Sequence, residues 1–305
     1  MSLFKKTILF LVTDTKMRKH ARLILLTLLF LFFLTACMPF ALKLSPSLFE
    51  NLAASFFEEC DPHIAEIAIP SNLKLLEGLL KNDPDNRDIL TSLCMGYAGY
   101  GLLFVEPNDP KRASRIYVRS LNYGFEALGK AGQKLGDLES GMGDIQSALI
   151  TVGKKDFRAL FWATLSWNAW INLNLDKPEA LAHLAASQAC LNKVIELNAR
   201  YFYGLPHILA GIGLSARSPL LGGNPEKARA HFQEALKWGE RKFFLAQYAF
   251  ARYYAVRVQD KGLFLTLLRE ILDGNPRALK ETCLINTIIQ HEAANLIQEA
   301  DDLFL

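Results

Sequence analysis

Residues 219–236 read PLLGGNPEKARAHFQEAL, and the reading of this stretch decides the fold. Two glycines, an asparagine and a proline stand directly before a helix-patterned run carrying Lys227 and Arg229. Such a segment is either a glycine-rich loop holding a phosphate on a helix N-terminus or a joint between two helices. The G-x-x-x-x-G-K-[ST] order, which brings a lysine and a hydroxyl onto phosphate and metal, is missing, and no strand pattern precedes the stretch. Gly222 and Gly223 supply the unusual backbone angles of a tight turn, and Asn224 supplies a helix cap. Pro225 occupies the first turn, where its missing N–H is harmless. Ala228, Phe232 and Ala235 then fall on one helical face. The segment reads as a structural joint.

The same arrangement occurs earlier in the chain. Ala113, Tyr117 and Ser120 repeat the small–aromatic–small spacing, introduced by Asp109 and Pro110. Upstream of each stripe, at matching distance, lies an apolar helix pattern: Leu90, Leu93 and Tyr97 in one case, Leu205, Ile208 and Ile212 in the other. Apolar residues recur at three- and four-residue intervals along most of the chain, whereas alternating strand patterns are hard to find. Asp83-Pro84 and Asn275-Pro276 close other helices, and glycines 129, 132, 136, 141, 143 and 153 mark helix ends and turns. Residues 47–50 (SLFE) form a capping box that opens a helix. The expected fold is all-α and TPR-like, a helical-repeat α-α superhelix of antiparallel helix pairs. In such pairs a small residue lets two helices approach while an aromatic fills the space between them. The inner connections are longer than in the usual unit of roughly 34 residues.

The N-terminus has its own logic. From Met17 the chain runs MRKHARLILLTLLFLFFLTAC. Arg18, Lys19 and Arg22 form a basic region before an apolar run from Leu23 to Leu34, too short at about a dozen residues to span a bilayer, which needs roughly 20. The sequence LTAC at 34–37 resembles a bacterial lipobox, so Cys37 is the expected lipidation site, carrying a diacylglyceryl thioether and an N-acyl chain. Residues 1–16 lie upstream of a complete signal, and Met17 is read as the true start. The expected organisation is a leader and signal over 1–36, a lipid-anchored tether over 37–46 and a helical body over 47–305. Met38, rather than Asp, follows the lipidation cysteine. By analogy with enteric bacteria this predicts the periplasmic face of the outer membrane.

The leader holds six of the 34 basic and one of the 31 acidic side chains, so the chain without it carries a net charge of −2. The basic character of the whole chain belongs mostly to that segment, and nothing favours a nucleic-acid partner. The other cysteines, Cys60, Cys94, Cys190 and Cys283, show no zinc-ligand spacing. The compartment permits disulfides. These residues nonetheless fall on apolar helical runs and are read as buried free thiols. No metal site, cofactor motif or paired catalytic group is found: Glu58-Glu59 and Asp301-Asp302 read as solvated helix faces or ends, and the histidines lack HExxH spacing.

The stretch from Pro219 also resembles the most recognisable motif of the T component of tripartite ATP-independent periplasmic (TRAP) transporters, the TatT family. Further segments resemble it in the same order: ALFWATLSWNAWI from Ala159, YFYGLPHILAG from Tyr201, VQDKGLFLTLLREIL from Val258 and LINTIIQHEAANLIQEADDLF from Leu284. Two departures stand out. Asn224 takes the place of an expected Asp, and Glu292 that of an expected Arg, reversing a surface charge. The resemblance implies a periplasmic lipoprotein with a TPR-like helical fold that assists a TRAP-type solute-binding protein and its membrane subunits in uptake. It brings no catalytic residues, and it leaves a homo-oligomer open. A TPR lipoprotein that scaffolds outer-membrane assembly is the alternative.

Aromatics surround the helical segment 157–171, with Phe161, Trp162, Trp167 and Trp170 pointing in different directions. A helix apolar all round is enclosed on both sides. It is either wholly packed in the core or packed on one side while the other lines a groove or channel for a hydrophobic small molecule. Phe161, Trp162, Trp167 and Trp170 are the candidate groove residues, with His207 as a polar contact.

Overall fold

The computed structural model describes Thr27 and residues 46–304 apart from 138 and 139. Met17, the signal, Cys37 and residues 37–45 of the expected tether lie outside the described residues. Among the described residues the chain is helical, without strands.

Helices α1 (Pro46–Phe57) and α2 (Pro62–Leu80) precede the first expected pair, α3 (Arg87–Tyr100) and α4 (Pro110–Leu128). After α5 (Lys130–Gly136) and α6 (Met142–Thr151) comes the aromatic helix α7 (Phe157–Asn172). The second pair, α10 (Tyr201–Ala216) and α11 (Pro225–Trp238), follows α8 (Pro178–Ala182) and α9 (Leu184–Asn198). The remaining helices are α12 (Phe244–Ala249), α13 (Lys261–Asp273), α14 (Cys283–Leu296) and α15 (Ala300–Leu303). Helix α1 includes Pro46, so Ser47 lies in its first turn rather than at the cap position that the SLFE pattern suggests.

The two repeated joints fold alike. The Asp109 side chain accepts the Arg112 amide at 2.9 Å, and the Asn224 side chain accepts the Lys227 amide at 2.9 Å. Each cap satisfies an amide that the helix itself leaves open. The stripes Ala113–Tyr117–Ser120 and Ala228–Phe232–Ala235 are completely buried. A glycine from the first segment of each pair faces the ring. A Cβ on Gly101 would lie 2.9 Å from the Tyr117 ring, and one on Gly211 would lie 2.7 Å from that of Phe232. The helices therefore approach through glycine on one side and an aromatic on the other.

A third close approach ties the first pair to α7. A Cβ on Gly124 would lie 2.6 Å from the Ala163 methyl and 2.9 Å from the Cys94 sulfur. Beside it Ser120 Oγ donates to the Cys94 carbonyl at 2.6 Å and shares a 2.7 Å hydrogen bond with Ser166 Oγ. Three helices cross here on small side chains, and the buried hydroxyls satisfy one another. The segment from Arg87 to Val105 is long and apolar enough to cross a membrane. Its Ile89, Leu90, Leu93 and Cys94 are instead packed inside the fold.

Two helices end in π-helical turns. Helix α3 continues into Gly101–Val105 and α12 into Phe250–Ala255. Such wide turns often mark functional sites. At the start of α10, Phe202, Tyr203 and Gly204 take left-handed angles in succession, with φ of 42°, 59° and 82°. Phe202 there packs on Phe57 at 5.0 Å and Phe243 at 5.6 Å between ring centres, and the Tyr203 hydroxyl donates to Glu281 at 3.0 Å. These contacts hold a turn that costs roughly 1–2 kcal/mol for each non-glycine residue.

The cysteines correct one expectation. Cys60 and Cys283 form a disulfide, with Cα atoms 5.1 Å apart, between the α1–α2 junction and the start of α14. Only Cys94 and Cys190 are the buried free thiols expected of all four, and burial pushes both up to about 12. Helix periodicity places cysteines on a face, but it does not show which faces meet across 223 residues of chain.

Candidate functional site

The loop at 219–223 makes its own hydrogen bonds. The Leu221, Gly222 and Gly223 amides donate to Ser218, Pro219 and Ser218 carbonyls at 2.9, 3.1 and 2.9 Å, and the Asn224 amide reaches Leu214 at 2.9 Å. These amides are occupied within the loop and do not form a cradle for phosphate. Gly222 is left-handed at φ 85°, and a Cβ on Gly223 would sit 2.0 Å from the Arg217 carbonyl oxygen. Arg217 is itself buried, and its guanidinium donates to Asn168 at 2.8 Å. The joint is thereby tied to α7.

A chamber of about 510 Å³ lies among α7, α10, α14 and the two π-helical turns. Its volume is within the usual range for small-molecule sites, about 300–1,000 Å³. Leu165, Ala169 and Asn172 of α7 line one wall, at the i, i+4, i+7 spacing of a single face. Leu205, Ile208, Leu209 and Ile212 of α10 line a second, and Ile288 and Ile289 of α14 a third. Leu102 and Leu103 come from the first π turn, and Arg252 and Tyr253 from the second.

The chamber is not apolar throughout. Glu106, Glu292, Glu299, Arg252, Tyr248 and Tyr253 also line it. Burial raises the Glu106 carboxyl above its ordinary range, partly offset by the hydrogen bond that Tyr117 donates and by the charge of Arg252. Burial works against the charged form of Arg252, but Tyr248, Tyr253 and Glu299 together leave its proton affinity raised. Burial leads in raising the Tyr253 hydroxyl, with Glu106 adding to it. The charge reversed at Glu292 thus belongs to the chamber wall, where the sequence suggested a plain surface position.

None of the five candidate groove residues lines this chamber. Phe161, Trp162 and Trp167 are buried in packing, and Trp170 is half-buried. Trp167 sets its edge against Phe125 at 5.3 Å, Phe161 meets Tyr201 at 5.0 Å, and Trp162 stacks on Phe57 at 6.5 Å. The rings join α7 to its neighbours, and the aliphatic face between them borders the chamber. His207 lies on the side of α10 away from Leu205, Ile208 and Ile212 and meets His231 of α11. A smaller apolar space of about 70 Å³ lies under α1, against Leu73, Met95 and Leu284.

Among the described residues no group of three or more His, Cys, Asp or Glu side chains is arranged to hold a metal ion. A helical body with an amphipathic chamber does not by itself define an activity. A family model for the TRAP transporter T-component matches residues 58–304, and the chain belongs to this family. Among curated proteins no match to the chain is found.

Proposed function

We propose that this protein is a lipid-anchored periplasmic accessory of a TRAP-type uptake system, docking the solute-binding protein and holding a ligand with an apolar part in its chamber. Membership of the T-component family supports the transport setting. The chamber of about 510 Å³, walled by aliphatic residues of α7, α10 and α14, is the observation that carries the ligand reading. The leader with its lipobox at Cys37 supports anchoring on the periplasmic face of the outer membrane. The Cys60–Cys283 disulfide supports an oxidising compartment, since such bonds are rare in the bacterial cytosol.

Titrating a co-encoded TRAP solute-binding protein against the purified chain tests docking: micromolar or tighter binding is expected, and its absence rejects that part. Intact-mass measurement of the chain from native membranes tests anchoring, with an unmodified Cys37 as the contrary result. For the chamber, Ile212→Trp is expected to narrow the space and weaken capture of the neutral fluorophore N-phenyl-1-naphthylamine. Undiminished capture by a folded variant rejects the chamber as the ligand site.

A further inference from the structure

Helix α2 has two opposed faces. Ala65, Ile69, Leu73 and Leu76 are buried. On the far side Ile64, Ile67 and Leu75 are 54, 61 and 60 % exposed, with Ser71 exposed between them. Their spacing of i, i+3 and i+11 puts them on one helical stripe. Among the described residues no other helix leaves three large apolar side chains exposed. Helix α4 extends this surface. Glu77 of α2 pairs with Arg119 of α4, and it accepts the Tyr123 hydroxyl of α4 at 3.0 Å and the Tyr97 hydroxyl of α3 at 2.6 Å. The outward sides of α2 and α4 therefore adjoin, and Val118 of α4 adds a further exposed apolar side chain.

This surface is basic on a body that is not. Together α2 and α4 hold five Lys and Arg against three Glu, whereas the chain without its leader has a net charge of −2. Lys74 and Arg119 share Glu77. Among the described residues Lys111 and Arg115 are exposed and enter no ion pair. Apolar tips among free cations suit the surface of an anionic bilayer, where the tips enter the acyl boundary and the cations meet phosphate. A second copy of the chain fits less well, since a two-fold contact would set the same cations against each other. The position agrees, and here the inference rests on anchoring at Cys37. From Cys37 to Phe49 of α1 the chain spans at most about 40 Å. Phe49 and Leu52 in turn lie across a small apolar space from Ile69, Leu73 and Leu76 of α2. The anchor thus keeps α2 within reach of the membrane.

We propose that the adjoining outward sides of α2 and α4 rest on the anionic phospholipid surface beside the anchor. Ile64, Ile67 and Leu75 lie at the acyl boundary, and Lys111 and Arg115 lie on lipid phosphates. The body is held against the membrane by this face rather than swinging on its tether.

The test uses the full lipidated chain in vesicles of phosphatidylethanolamine and phosphatidylglycerol, with flotation showing that it is anchored. Leu75→Cys carries a bimane fluorophore, and Leu220→Cys, at a position 97 % exposed in the 219–223 loop, is the control. Cys94 and Cys190 are buried and Cys60 is bonded to Cys283, so the introduced thiol is the one labelled. A spin-labelled lipid is expected to quench bimane at position 75 about threefold more than at position 220. Lys111→Glu with Arg115→Glu is expected to remove about half of that quenching, and so are vesicles of neutral phosphatidylcholine. Quenching that neither change of charge moves overturns the assignment of the cations. Flotation with equal quenching at both positions overturns the α2–α4 face and leaves the anchoring standing. Shielding from aqueous iodide without quenching by the lipid marks a protein on this face and overturns the lipid assignment. A chain that does not float overturns the anchoring and the proposal with it.

Discussion

His207 and His231 face each other across α10 and α11 with their Nδ1 atoms 2.8 Å apart. One ring donates and the other accepts, an arrangement that needs both to be neutral or only one charged. Burial lowers both proton affinities, and the charge of His207 lowers that of His231 further. Burial also lowers that of His183. A histidine depressed on folding binds protons more readily in the unfolded chain. Its contribution is therefore full above the unfolded value, about 6.5, and is lost as pH falls through the folded value. The melting temperature is expected to fall between pH 7.5 and 5. The paired change His207→Leu and His231→Leu should flatten this slope without abolishing it, because His183 remains. An unchanged slope in melts across that range would refute the assignment.

The glycines of the 219–223 loop should respond differently to alanine. Gly222 has open space but left-handed angles, so Gly222→Ala is expected to lose about 1 kcal/mol. Gly223→Ala drives a methyl into the Arg217 carbonyl and should prevent normal folding. At the cap, Asn224→Asp should be nearly neutral and Asn224→Ala should lose about 1 kcal/mol. Urea unfolding ranks the other three, and circular dichroism shows whether Gly223→Ala folds at all.

The contact between Gly211 and Phe232 predicts a coupled pair. Phe232→Ala empties a fully buried site and is expected to lose about 3–5 kcal/mol. Gly211→Ala alone presses a methyl into the ring and should lose about 1–3 kcal/mol. Combined with Phe232→Leu, the alanine gains room, so the double variant should be more stable than the sum of the single losses predicts. Strict additivity in a double-mutant cycle would contradict direct packing.

Non-reducing peptide mapping should show Cys60 linked to Cys283. Breaking that bond by Cys60→Ser with Cys283→Ser is expected to lose about 2–5 kcal/mol. Cys94 and Cys190, buried and with their thiols pushed up to about 12, should resist alkylation until the protein unfolds. Rapid native labelling of either would contradict the three-helix junction or the packing of α9.

The helical architecture was legible because it is written locally. Asp109 and Asn224 cap helices through amides three residues away, and Ala228, Phe232 and Ala235 lie within two turns of one helix. The aromatic segment read as 157–171 is a helix over Phe157–Asn172. The chamber was not legible in the same way. The sequence drew attention to the large rings of α7, but large rings fill space and leave none. The chamber is bordered by Leu165, Ala169 and Asn172, residues of ordinary size on the same helix. The i, i+4, i+7 face they form was present in the sequence, but its partners come from α10, α14 and two π turns. The pairing of Cys60 with Cys283 likewise depends on which distant faces meet.

That covalent link also bears on biogenesis. It joins the first and last of the four cysteines in the helical body and passes over the two between them. A chain delivered N-terminus first into an oxidising space presents Cys60 with Cys94, then Cys190, before Cys283 arrives. Pairing in order of emergence gives the wrong bridge. On the proposed periplasmic route, correct maturation therefore calls either for early sequestration of the two middle thiols within the assembling helices or for an isomerase that reshuffles a premature bond.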